Sequence, residues 1–307
     1  MRVRVLVWAL AVQIVLGGVL LWQASTGFDL FRSGDGHHGP ARRAVVPPVP
    51  TPSVDRFDAD RAWATAERQV ALGPRPAGSD AQRRAAVFLR AGLPHGRFVA
   101  IGGGLRNIAG SLPGRGRPVL LVAHYDTTPV AGYVGANNSA TGVGAVLEIA
   151  RDLRRLGSPA GAAPVDFLLT DGEEAPEYPV KGNFYAEGLR GSRFAARTAN
   201  AKAVIVLDFI ANRDIRLQHE PGSDAGLWAK LRAAARQVGT LAVFPGGDQG
   251  RVLDDHTPFV SAGLTAIDLI DFDYPCWQKP CDRMSNIAKR SLDAVGETVL
   301  QLVRTLR

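Results

Sequence analysis

The chain has 307 residues, 46% hydrophobic and 21% charged, a balance that excludes a wholly disordered protein and allows one large α/β domain with accessory segments. Its formal net charge is +7, yet the arginines are scattered, as at Arg68, Arg84, Arg115, Arg151, Arg155 and Arg193, and no basic run interleaves with aromatics. That speaks against nucleic acid as a partner.

Val5 to Trp22, VLVWALAVQIVLGGVLLW, carries no charge and follows Arg2 and Arg4. At about 18 residues it is long enough to reach across a bilayer, and its basic flank suits either a membrane anchor or a signal peptide. The stretch LLWQASTGF offers only Trp22 with Ala24, or Ala24 with Thr26, as a cleavage pair, so an uncleaved anchor is the expectation and a cleaved signal the alternative. Both export the rest of the chain. The expected organisation is an N-terminal anchor or signal segment over 1–24, a Pro/Gly-rich linker over 25–54 in which His37 and His38 are solvated, and one patterned domain over 55–307.

Within that domain, Ser79 followed by Gln82 reads as a capping box, opening a helix with Ala81, Ala85, Phe88 and Leu89 on one stripe. Val119–Ala123, Val165–Leu169, Ala203–Leu207 and Thr265–Ile270 are short apolar runs of the kind that form strands buried on both faces. Between the first two, Ala140 to Arg155 places Val143, Val146, Leu147, Ala150 and Leu153 on one helical stripe, and Leu292 to Leu306 supplies a closing helix. Alternating helices and strands predict an α/β fold, a three-layer sandwich with a central, mostly parallel mixed sheet flanked by helices.

Polar residues recur at the ends of these strands: His124 and Asp126 in VLLVAHYDTT, Glu173 and Glu174 in LLTDGEEA, and Asp208 in AVIVLDFI. Asn137 and Asn138 in VGANNSATG, and Asp254, Asp255 and His256 in VLDDHTPF, join them from loops. Singly each has a structural reading: a solvated turn for the Glu pair, a helix N-terminus for Asp254–His256, a hydrogen-bonded strand end for His124. Together they suit a hydrolase, in which one acid binds metal while its neighbour moves a proton at the strand-end edge of the sheet.

In this order the residues resemble the glutaminyl cyclase branch of the zinc aminopeptidase superfamily, through GPRPAGS, AHYD, YVGANNSATGVGAVLEIAR, TDGEEA, GLRGSRFAA, VIVLDFI, DDHTPFVSAG and YPCWQ. The resemblance implies a zinc ion that polarises the γ-amide of an N-terminal glutamine in the cyclases, or two metals that activate water in the aminopeptidases. It makes Glu173 the general acid/base, Glu174 a zinc ligand, Asp208 and Asp255 an acidic network near Glu173, and Trp277 a pocket wall. His124 and Asp208 match ligands of the second metal. Two positions depart from the pattern: the aspartate ligand is Asn138, and the histidine ligand after the tryptophan is Gln278. A neutral amide is a poor zinc ligand, so zinc binding is expected to fall, with His256 as a substitute ligand only if it swings inward.

Cys276 and Cys281, the two cysteines of the chain, flank Trp277 and Gln278 and in an exported protein are expected to form a disulfide. Three functions remain open. The first is an exported cyclase or aminopeptidase acting on peptide or protein N-termini with a weakened zinc site; the second is a catalytically silent relative that binds such N-termini or another small ligand. The third, a serine hydrolase, ranks last because Ser139 lacks a GxSxG elbow.

Overall fold

The computed structural model describes residues 48–307; the expected anchor and most of the expected linker, with His37 and His38, lie outside the described residues. No described helix is long and apolar enough to cross a membrane. Val49 is buried in the core, and the Ser53 N–H donates to the Val238 carbonyl (2.9 Å), so the chain packs against the domain before Asp55.

Helix α1 (Ala59–Val70) starts at Asp58, whose carboxylate accepts from the Arg61 N–H (2.9 Å). Helix α2 (Asp80–Gly92) starts at Ser79, whose hydroxyl accepts from the Gln82 N–H (3.2 Å), the forward half of the expected box. Strands β1 (Arg97–Gly102) and β2 (Leu105–Leu112) form a hairpin that the sequence reading did not anticipate. Its two-residue turn, Gly103 and Gly104, has φ of 60° and 78°, the pair of positive values a tight hairpin needs.

The remaining elements in chain order are β3 (Val119–His124), α3 (Thr141–Leu156), β4 (Val165–Thr170), α4 (Phe184–Glu187), α5 (Arg190–Ala196), β5 (Ala203–Leu207), α6 (Ala225–Gln237), α7 (His256–Ser261), β6 (Ala266–Leu269) and α8 (Lys289–Leu306). All four expected strands form. β3 and β4 run one residue further than expected because His124 pairs with Thr170 in the ladder.

The six strands form one mixed sheet in the order β1-β2-β4-β3-β5-β6, with β4, β3, β5 and β6 mutually parallel and the β1–β2 hairpin antiparallel at one edge. Along β3, Val119, Leu121 and Ala123 join the core shared with α3 and α8, while Leu120 and Val122 join a smaller one with Ala196 of α5 and Phe259 of α7. Both faces of the strand are therefore covered, and each fully buried Val or Leu contributes about 1.5–3 kcal/mol. This is the expected three-layer α/β sandwich.

Because the four central strands are parallel, their C-terminal ends share one edge. Gly142, in the first turn of α3, lets that helix abut this edge: a Cβ there would lie 2.2 Å from the Leu207 carbonyl oxygen.

Candidate active site

Three parallel strand ends supply the floor. His124 is the last residue of β3, Asp208 follows β5 directly, and Glu173 and Glu174 sit in the turn after β4. Asp126 fixes that turn, its two carboxylate oxygens accepting from the Glu173 and Glu174 N–H groups (3.2 Å each). His124, Asp126, Glu173, Glu174 and Asp208 are all buried.

Asn138 arrives from the segment before α3. Its backbone N–H and that of Asn137 donate to the buried carboxylate of Asp282 (3.1 and 2.8 Å), which also accepts from the Tyr274 hydroxyl (3.1 Å). Asp282 thus anchors the Asn137–Asn138 segment, a role that nothing in the sequence reading assigned. Gln278 arrives from the loop closed by the Cys276–Cys281 disulfide, with its backbone in the left-handed region at φ 52°. The expected disulfide is formed.

These groups meet in one hydrogen-bonded chain. His124 Nε2 lies 2.5 Å from Asn138 Oδ1, and Asn138 Nδ2 donates to Glu174 Oε1 (2.9 Å). Gln278 Nε2 donates to both Glu174 oxygens (3.1 Å each). His124 also stands 3.6 Å from Asp126, 3.9 Å from Glu173 and 3.6 Å from Asp208. Burial alone would push its imidazole down, but Glu173, Asp126 and Asp208 together hold it well above its ordinary value.

The carboxyls respond in the opposite sense to ordinary surface acids. Burial, with Glu174, Asp254 and Asp255 nearby, pushes Glu173 well up, and burial pushes Glu174 up to about 7. Asp254 also lies well above its usual range through burial and the neighbouring Asp268 and Asp208, and burial pushes Asp255 up to about 6. Closely spaced buried carboxyls cannot all ionise, so this floor holds protons ready to transfer.

A cavity of about 350 Å³ opens above the floor. Glu173, Glu174, Asp208, Asn138 and Gln278 line it, as does Trp277, which stacks near Phe272 with ring centroids 5.0 Å apart. Asp255 does not line it: this side chain points beneath the floor and accepts from the Thr170 hydroxyl, while Asp254 takes the facing position with Oδ2 unpartnered. His256 does not turn inward. Its Nε2 pairs with Glu220 (3.1 Å) and its Nδ1 with Asp268 (3.3 Å), bonds that outweigh burial and raise it to about 10.

Of the rim residues only Trp277 was expected. Tyr178, Leu253, Phe272 and Trp277 surround the mouth, each 37–47% exposed, and of these only the Trp stood in a recognisable motif. The arrangement offers a buried acidic floor that can hold a cation and move protons, beneath largely apolar walls. Among donor atoms that bind metals, the floor keeps the Glu174 and Asp208 carboxylates and the His124 imidazole, with amides at positions 138 and 278.

Known proteins share this architecture. The chain is 27% identical over 278 residues to a mouse glutaminyl-peptide cyclotransferase-like protein, covering 76% of this chain and 72% of that one. The glutaminyl cyclase of Tannerella forsythia is 30% identical with a TM-score of 0.73, covering 82% of this chain and 99% of its own. A zinc-dependent exopeptidase from Parabacteroides distasonis is 28% identical with a TM-score of 0.71, covering 83% of this chain and 99% of its own. Peptidase family M28 matches residues 107–303, and with these relatives it places the chain in that family, within the glutaminyl cyclase branch of the zinc aminopeptidase superfamily.

Proposed function

We propose that this M28 domain is exported and receives peptide or protein N-termini in the 350 Å³ cavity, with its zinc chemistry impaired so that it binds them more than it transforms them. The observation that carries the reading is the direction of two amides: Asn138 Nδ2 and Gln278 Nε2 both donate to the Glu174 carboxylate. Amide nitrogens have no available lone pair for a metal, and here they occupy the oxygens that a zinc ion would need. The donor set therefore does not fit zinc as the family's pattern would have it.

The remaining chemistry suits an ammonium group. Glu173, Asp208 and Asp254 face the cavity, and a cation entering among them would favour the ionised forms of Glu173 and Asp254 and gain charge-assisted hydrogen bonds. Trp277 and Phe272 would cover the first side chain at the mouth. Glu173 is placed to exchange a proton with the bound amine, which is the residual reactivity that favours the second reading, slow turnover.

The formed disulfide supports export, since such bonds persist in oxidising compartments. Attachment through residues 1–24 belongs to the same proposal. The test is calorimetric titration of the full-length chain with a short glutamine-initiated peptide and its N-acetylated form, alongside assays for released ammonia and amino acids. Saturable binding of the free N-terminus, at least about 10-fold weaker after acetylation, with neither product is expected. Equal binding of both peptides would overturn N-terminal recognition, and product release would replace the binding reading with turnover.

A further inference from the structure

A second concavity, of about 330 Å³, lies between the β1–β2 hairpin and α5. Its walls include Gly102 and Gly103 on one side and Arg190, Arg193, Phe194 and Arg197 on the other, with no carboxylate among them. The three arginines recur at i, i+3 and i+7, on one face of a helix barely two turns long and its C-terminal edge.

Among the described residues none of the three is within ion-pair distance of an acid, whereas Arg83, Arg151 and Arg155 each reach a carboxylate three residues earlier. Arg193 is half-buried with its Nε fully enclosed and without a hydrogen-bond partner. A buried charged donor without a partner is unfavourable, so the Arg193 guanidinium has unmet hydrogen-bonding capacity. Arg190 is held in place from behind: its Nε donates to the Gly172 carbonyl (3.2 Å) and its Nη2 to the Glu174 carbonyl (2.9 Å). Arg193 and Arg197 rest against Tyr185 and Phe194, with centroid distances of 5.9 and 6.0 Å.

We propose that this concavity is an anion site, separate from the N-terminus cavity, that takes a tetrahedral dianion of the phosphate or sulfate class. Guanidinium groups present paired N–H donors that match the oxygens of such ions, and three lining a pocket without acids supply charge enough for a dianion. The pocket exceeds one oxyanion in volume, so an ester carrying a small polar group fits as well as the free ion. The site does not depend on the function assigned to the strand-end cavity.

The test is calorimetric titration of the full-length chain, at fixed ionic strength, with inorganic phosphate and with glycerol 3-phosphate. Saturable binding is expected, weakened at least about 10-fold in Arg193→Gln/Arg197→Gln and retained in Arg84→Gln/Arg304→Gln, which removes the same charge elsewhere. Thermal melting of both variants verifies that they fold. Tighter binding of glycerol 3-phosphate than of inorganic phosphate would support an ester as the ligand, and equal binding would support the free ion. No saturable binding up to about 10 mM of either probe, or equal weakening in both double variants, would overturn the site.

Discussion

The sheet edge and the two segments that close over it place their side chains by different means. His124, Glu173, Glu174 and Asp208 sit on or within four residues of parallel strands, so ladder register fixes where they stand. Asn138 and Gln278 sit on irregular backbone, held by Asp282 beneath the Asn137 and Asn138 N–H groups and by the Cys276–Cys281 bridge. On the site assignment that the resemblance implies, the expected strand-borne residues are present and both departures fall on the loop-borne side. The loops hold their backbone in place while positions 138 and 278 carry amides, the contrast on which the proposed binding function rests.

The largest expected effect comes from removing the loop anchor. Asp282→Ala would leave the Asn137 and Asn138 N–H groups and the Tyr274 hydroxyl without their acceptor, costing about 3–5 kcal/mol of unfolding free energy in denaturant titration. A loss under about 1 kcal/mol would mean that the segment is held by something else.

Opening the disulfide with Cys276→Ser/Cys281→Ser should cost no more than about 2 kcal/mol, because it closes only a short loop. Peptide affinity should fall further than stability does, since Trp277 and Gln278 lie between the two cysteines. If affinity is unchanged, the loop does not shape the pocket.

On the strand side, the expected effect is a pH dependence. Burial holds Asp255 at about 6 in the folded chain, against an ordinary value of 3.8. Between those values the folded state keeps a proton that the unfolded chain releases, so stability falls as pH rises from about 4 to about 6, by roughly 2 kcal/mol for this group. Asp255→Asn, which has no charge to bury, should flatten that part of the profile in urea unfolding. An unaltered slope would assign it to other carboxyls, such as Asp171 and Asp271, which burial also lifts to about 6. The smallest effect belongs to the rim: Trp277→Ala should weaken peptide binding by about 1 kcal/mol and leave the melting temperature in place, because the ring is 37% exposed.

The strand-borne half was the more legible in the sequence. Val119–Ala123, Val165–Leu169 and Ala203–Leu207 are continuous apolar runs, and strands buried on both faces must be written that way. The β1–β2 hairpin escaped because it is an edge of the sheet, with β1 partly exposed along its length and three consecutive glycines interrupting the pattern. Helix α1 buries only Ala62, Ala66 and Gln69, too little apolar surface for a visible stripe, whereas α6 carries Leu227, Trp228, Leu231 and Ala235 and could have been seen.

In the site, residue identities were legible and orientations were not. Asp254 lines the cavity while the adjacent Asp255 accepts from the Thr170 hydroxyl, a division of labour that their shared motif did not settle. Asp282 was invisible as an anchor, since the segment it holds is bound through backbone N–H groups that carry no sequence signal.

The decisive measurement is the zinc content of the purified full-length chain after equilibration with a zinc buffer, beside the variant Asn138→Asp/Gln278→His. Little zinc in the natural chain and stoichiometric zinc in the variant, an affinity gain of at least about 100-fold, is the expected result. Stoichiometric zinc in the natural chain would contradict it, and would mean that Glu174 leaves its two amide donors to bind metal.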